Sequence, residues 1–218
     1  MLLNNLSIPV IISNIFVLVI AFTIHEYSHA WTATRFGDDT PRAYGRLTLN
    51  PLAHLDPMGS LLLLVAGFGW AKPVPINPYA LTRRSPAAVM WVSLAGPFSN
   101  LVMAVFAAML FRLGVATFLD HFMPGSRFIP SATMVFTNFI WINLILMLFN
   151  LIPIAPLDGE KIFEYFLPPS FARFMDTIRP YGPIILIVLV FGGQFIGINI
   201  LGSILGPPLN TLYNFLVG

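Results

Sequence analysis

His25, Glu26 and His29 stand in the order H-E-x-x-H within His25-Glu26-Tyr27-Ser28-His29. On a helix, positions i and i+4 differ by roughly 40° in azimuth, so both imidazoles can face one ion. Glu26 lies beside them, where a carboxylate can take a proton from a metal-activated water. That is the chemistry of metal-assisted hydrolysis. The chain has only four His and three Glu. Random placement would produce this order about once in a thousand such chains.

Zinc in a hydrolytic site takes three protein ligands and keeps a fourth position open. The third ligand must come from elsewhere, and three residues compete. His121 falls in a loop on the opposite side of the membrane by the charge argument below, which makes it a poor candidate. His54 lies in the loop after the first apolar run, near Asp56. Asp158 is the stronger candidate. It follows Asn150-Leu151-Ile152-Pro153-Ile154-Ala155-Pro156-Leu157 and precedes Gly159. Pro153 and Pro156 break the helix before it. Unwound backbone at membrane depth is tolerated only inside protein or along a cavity.

The elements that must position these residues are membrane spans. Of 218 residues, 57% are hydrophobic and 9% charged, against about 25% charged in soluble domains. Mean hydropathy is +0.82. So little charge cannot cover a water-soluble surface. A net charge of +2 with scattered Lys and Arg excludes a nucleic-acid partner. With no cysteine, disulfides, thiolate metal sites and a cysteine nucleophile are excluded. Met1 to Ser7 carries no basic residue, so the first apolar run is expected to be retained rather than cleaved as a secretory signal.

Four segments are long enough to span: Pro9–Thr34, Pro86–Phe111, Ser131 to about Pro153, and about Tyr181–Leu205. Gly206-Pro207-Pro208 is expected to end any helix there, leaving the last ten residues to lie along the interface or pack on the bundle. Met58–Ala71 has 14 residues and would cover about 21 Å as helix, too short for a hydrocarbon core of about 30 Å. It reads as a re-entrant or interfacial piece. Lys72-Pro73-Val74-Pro75-Ile76-Asn77-Pro78 reads as extended chain. The expected fold is an all-α membrane protein. About four spans form a helical bundle with a re-entrant segment and a short extended hairpin-like loop. Residues 1–218 form one domain, with a core at about 10–160.

Charge supports the re-entrant path. If Met58–Ala71 does not cross, nine of the eleven Lys and Arg share one side, and only Arg112 and Arg127 take the other. If it crosses, the split is five to six. Positive residues concentrate on the cytoplasmic side. The first and third spans then run in the same direction, so His25, His29 and Asp158 reach one face.

At these residues the sequence resembles the site-2 protease family of intramembrane zinc metalloproteases. HEYSH matches its H-E-x-x-H, and NLIPIAPLDG (Asn150–Gly159) matches its N-x-x-P…L-D-G signature. Ala95-Gly96-Pro97-Phe98-Ser99-Asn100 resembles its A-G-P-x-x-N segment, and Arg46–Pro57 and GWAKPVPINP resemble loops of bacterial and archaeal members. No stretch is long or polar enough for a PDZ or CBS domain. The resemblance implies one Zn2+ per chain on His25, His29 and Asp158, with Glu26 activating the water. Asn150 would hold the scissile strand or polarise its carbonyl. Substrates would be transmembrane segments of other proteins, cut in or near the bilayer, in a multi-pass cell-membrane protein whose active site faces the cytoplasm.

A helical substrate hides its carbonyls in hydrogen bonds, so it must unwind and find new backbone partners. Lys72, Pro73, Val74 and Pro75 lie beside an edge that could serve, with the pairing strand expected in Tyr44–Leu49 or near Val74–Ile76. Asn100 and His54 are further substrate-side candidates; His54 could equally gate the site, bind a second metal or cap a loop. Gly96 with Asn100, and Gly193 with Gly197, have spacings that let helices pack closely. Gly192-Gly193 could bend the last span. Pro168–Arg179 suits an amphipathic interfacial helix. Two other functions share parts of this pattern. A divalent-metal transporter needs ligands on several spans, and the third and fourth have no His, Asp or Glu within them. An inactive helix-binding scaffold is expected to lose Glu26 or a ligand, and all are present.

Overall fold

The computed structural model describes residues 7–59, 62, 69–192, 197 and 199–218. Ten α-helices lie among them: α1 (Ile8–Arg35), α2 (Thr40–Ala43), α3 (Pro78–Arg84), α4 (Ala88–Arg112), α5 (Val115–Phe122), α6 (Ala132–Asn150), α7 (Asp158–Phe166), α8 (Pro169–Ile178), α9 (Gly182–Ile187) and α10 (Ile200–Val217). No strand occurs among the described residues; the one β contact is an isolated antiparallel bridge, Leu55 with Ala71. Ile8–Arg35, Ala88–Arg112, Ala132–Asn150 and Ala172–Gly192 are long and apolar enough to cross a bilayer. The chain is an all-α membrane protein.

α4 is the central helix and packs against α1, α6 and α7. Its buried face is small: Ala104, Ala107 and Ala108 meet Ile140, Leu144 and Met147 of α6 and Leu209 of α10. Lipid tails are as apolar as leucine, so span association relies on such close backbone approach and on polar links. Asn138 of α6 supplies a link, donating from Nδ2 to Ser13 Oγ and Asn14 Oδ1 of α1, each at 3.0 Å. The outward faces carry Phe16, Phe98, Phe106 and Ile184, as a surface in hydrocarbon requires.

The ends of the helices fix the path between them. Ala33 of α1 and Ala88 and Val92 of α4 share a second apolar cluster with Leu81 of α3. The chain from 36 to 87 therefore leaves and rejoins the same end of the bundle. Within it, Leu55 bridges Ala71 and the Lys72 N–H donates to the His54 carbonyl at 2.7 Å. The two flanks of the short apolar run thus lie side by side, as a re-entrant path demands. Its interior (60, 61 and 63–68) lies outside the described residues. Lys72–Asn77 forms no helix, as expected, and is held by His54, through its carbonyl, and by the Arg46 side chain.

The last third departs from expectation. The fourth apolar helix is Ala172–Gly192 rather than Tyr181–Leu205. It runs through the amphipathic α8, a 3-10 turn at Arg179–Tyr181, α9 and a π turn at Val188–Gly192. Gly193, with its proposed spacing and hinge, lies outside the described residues. α10 continues through Pro207 and Pro208 instead of stopping. Two prolines leave two carbonyls without their helical donors, whereas unwinding in apolar surroundings would orphan many more. Arg112 Nη2 donates to the Phe215 carbonyl at 2.7 Å, so α10 ends beside the C-terminus of α4.

α6 begins under a double cap. Ser131 Oγ accepts from Met134 N–H at 3.1 Å. The Asp120 carboxylate accepts from Ala132 N–H at 2.5 Å and Thr133 N–H at 3.1 Å. The Thr133 side chain and these two amides hold the Asp120 carboxyl below its ordinary value. A carboxyl lowered by folding adds stability above its unfolded pKa of about 3.9 and loses it as pH falls through the folded value. Asp120→Asn should therefore melt below wild type at about pH 6, with the gap closing near about pH 2. A gap of equal size at both pH values would show that the cap's charge contributes nothing.

Candidate metal centre

α1 presents His25 and His29 one turn apart on its buried side, toward α4. Asp158 comes from another direction. α6 stops at Asn150, residues 151–157 turn, and α7 opens with Asp158 as its first residue. Ala155-Pro156 in that turn is a cis peptide. Gly159 lets the turn close, because a Cβ there would lie 2.5 Å from Leu151 O. Asp158 Oδ2 then lies 3.1 Å from His25 Nε2 and 3.3 Å from His29 Nε2, and the two Nε2 atoms are 3.1 Å apart. Ligand atoms about 2.0–2.1 Å from a tetrahedral ion are separated by roughly 3.3 Å. The triangle has the size that zinc needs.

The outer nitrogens decide what the inner ones can do. His29 Nδ1 lies 2.7 Å from the Val92 carbonyl, which can only accept, so Nδ1 carries the proton. His25 Nδ1 lies 2.6 Å from Asn100 Oδ1. Both rings then turn an Nε2 lone pair inward, and such outer partners fix the tautomer of ligating imidazoles. Asp158 Oδ2 is buried and lacks a well-formed hydrogen bond. Three acceptors thus converge on one point, and a cation is what satisfies them. The space is kept open from the α4 side by Gly96: a Cβ there would meet His29 Nε2 and lie 2.6 Å from His25 Nε2. The residues present fit a tetrahedral divalent ion.

Known proteins resemble this chain in sequence. The profile of peptidase family M50 matches residues 126–189, which include Asp158. YwhC of Bacillus subtilis, which is named as a zinc metalloprotease, is 43% identical over 195 residues, 89% of this chain and 84% of its own. Rip2 of Mycolicibacterium smegmatis, also named as a zinc metalloprotease, is 34% identical over 84% of this chain and 70% of its own. The chain belongs to peptidase family M50, the site-2 proteases. A similarly named zinc metalloprotease of the archaeon Methanocaldococcus jannaschii is 29% identical, covering 74% of each chain. No solved structure gives a significant match.

This M50 metalloprotease places its other predicted residues as follows. Glu26 is buried beside the two histidines on α1. Asn150 closes α6 and donates to the Leu146 carbonyl at 3.0 Å, eight residues before Asp158 in the chain. Lys72 and Pro73 are exposed, and Val74 and Pro75 half-buried. Two residues lie elsewhere than expected. Asn100 is fully buried behind His25 and cannot meet a substrate; its other hydrogen bond goes to Asn143. His54 stands apart from the cluster of His25, His29 and Asp158 and is fully buried, with its Nε2 2.7 Å from the Thr48 carbonyl. His121 is exposed on α5.

Sequence reasoning passed over three residues. The spacing of Gly96 suggests close packing alone, yet it borders the space between the two histidines. Asn143 was not singled out; its one signal is an amide in an otherwise apolar run. Arg46 is buried and donates to the carbonyls of Ala53 (2.6 Å), Lys72 (3.1 Å) and Pro73 (3.2 Å), so it clamps the extended stretch to the preceding loop.

Gly96→Ala tests the cradle. Alanine favours a helix interior over glycine by about 1 kcal/mol, so helix content should be unchanged. Zinc retained after purification should nevertheless fall at least about tenfold, because a ligand is displaced. Full zinc content in the alanine variant would mean that α4 does not bound the site.

Proposed function

We propose that the chain is a zinc-dependent intramembrane endopeptidase that cuts peptide bonds in or near transmembrane segments of other membrane proteins. The observation that carries this reading is the triad's location. His25, His29 and Asp158 converge inside a bundle whose outer surface is apolar, and two of them sit on a spanning helix. Ionisable groups so placed are costly in a bilayer and are kept for function. The histidines lie near the end of α1, and nine basic residues flank that end by the charge count. This supports a site opening toward the cytoplasm of a cell membrane.

One zinc per chain, held by His25, His29 and Asp158, would acidify an attacking water and polarise the scissile carbonyl. Glu26 accepts the water's proton at its carboxylate and returns it to the departing amine. Asn150 orients the substrate carbonyl or strand. Arg46 occupies the Lys72 and Pro73 carbonyls, so the edge offered to an unwound substrate begins at Val74. The bundle excludes bulk water from the site, and the surrounding bilayer delivers the substrate.

The test uses purified protein in lipid vesicles with a reporter whose single transmembrane segment carries a tag at each end. Wild type should contain one zinc per chain and release the tags in a chelator-sensitive, zinc-restored reaction. Glu26→Gln should keep its zinc and lose about 10²–10⁴-fold in rate. Cleavage confined to soluble peptides would sink the intramembrane reading and leave the metalloprotease. The chain has no cysteine, so orientation is directly readable in cells. Cysteine at Arg127 should react with an impermeant thiol reagent from outside, and cysteine at Arg83 should not.

A further inference from the structure

We infer that Asn143 is a positioning residue for the metal centre: it fixes which nitrogen of His25 carries the proton and so leaves the Nε2 lone pair toward the ion, acting from α6 through Asn100 of α4. The links are short. His25 Nδ1 lies 2.6 Å from Asn100 Oδ1, Asn100 Nδ2 lies 2.8 Å from Asn143 Oδ1, and Asn143 Nδ2 lies 2.8 Å from the Phe139 carbonyl. Both amides are fully buried, so no solvent competes for them.

The direction of this chain is dictated from its far end. A backbone carbonyl has lone pairs and no proton, so it can only accept. The Asn143 atom facing Phe139 must therefore be the NH2 group, which turns the Asn143 oxygen toward Asn100. Asn100 must answer with its own NH2 group, which turns its oxygen toward His25. An oxygen at Nδ1 requires Nδ1–H, and the lone pair is left on Nε2, toward Asp158 and His29. Each step follows from the one before.

Asn100 alone could not enforce this. A terminal amide can rotate by half a turn with little change in shape, presenting NH2 to His25. That would place the lone pair on Nδ1 and a proton on Nε2, where an ion must bind. Asn143 removes that option, because a flipped Asn100 would set oxygen against oxygen. His29 needs no relay: its Nδ1 lies directly on the Val92 carbonyl. Both imidazoles are thus set by an obligate backbone acceptor, one directly and one through two amides on two helices.

The inference rests on His25 being a zinc ligand, and the experiment separates the two. Zinc affinity is measured by chelator competition on purified wild type, Asn143→Leu, Asn100→Asp and the double variant. A wild type without zinc affinity would refute the metal centre itself. With affinity present in wild type, Asn143→Leu should weaken zinc roughly 10–100-fold, the usual effect of losing an outer partner. Asn100→Asp presents oxygen in either rotation and needs no enforcement. In that background Asn143→Leu should cost less than about threefold, since a carboxylate fixes the ring by itself. Nitrogen-15 spectra of His25 should show Nδ1–H in wild type and in both Asp variants, and a tautomer mixture in Asn143→Leu. Asn143→Ala covers the case in which leucine does not fit. Equal losses in the two backgrounds, undiminished affinity in Asn143→Leu, or failure of both Asn143 variants to fold would overturn the assignment and leave Asn143 a structural residue.

Discussion

A polar atom inside a bilayer has only the protein to pair with, and every polar contact in this bundle reflects that constraint. Water cannot complete a hydrogen bond at that depth, so an unpaired group costs several kcal/mol. The imidazole Nδ1 atoms of His25 and His29 face Asn100 and the Val92 carbonyl. The Asn138 amide is taken by Ser13 and Asn14. Even the hydroxyls of Thr23 and Ser28 on α1 fold back to carbonyls four residues earlier. Against that background two buried atoms among the described residues lack a partner, His54 Nδ1 in the loop and Asp158 Oδ2 at the bundle's centre of polar contacts. Asp158 Oδ2 is buried between two Nε2 atoms, and its environment asks for a cation rather than a donor.

The same constraint explains the shape of the fold. Metal ligands on one helix and one turn must meet within a few ångströms, so the helices must approach closely. Alanine and glycine make that possible: Ala104, Ala107 and Ala108 let α6 come near α4, and Gly96 lets α4 come near the histidines. Hydrophobicity does little of this ordering, since the surroundings are equally apolar. It appears instead as large side chains pointing outward, the reverse of a soluble domain. The polar clamps lie at the bundle's end, where Arg46 gathers three carbonyls and Arg179 pairs with Glu160, Glu164 and Asp176.

What was legible in the sequence was local or periodic. The i, i+4 spacing of His25 and His29, the proline-broken turn before Asp158 and the lengths of the first three spans are all short-range patterns. Observed ends at Arg35, Arg112 and Asn150 lie one to three residues from those expected. Illegible features depend on distant partners. Asn143 is one amide among leucines, and nothing nearby in the chain reveals that Asn100 waits 43 residues away. His54 looks like a ligand by residue type, and only its contact with Thr48 assigns it to the loop. Pro207 and Pro208 argue locally for a helix end, yet packing of Leu209 against α6 and the cost of exposed backbone carry α10 through them.

α6 touches the metal centre twice without contributing a ligand. Through Asn143 it sets the tautomer of one imidazole, and from its last residue hangs the turn that delivers the carboxylate. Both functions scale with the same coordinate, the axial position of α6 against α1 and α4. A slide of one helical turn is about 5.4 Å, far more than either a 2.8 Å hydrogen bond or a 3.1 Å ligand spacing can absorb. Any axial displacement of α6 would therefore disturb both the His25 relay and the Asp158 turn in one motion.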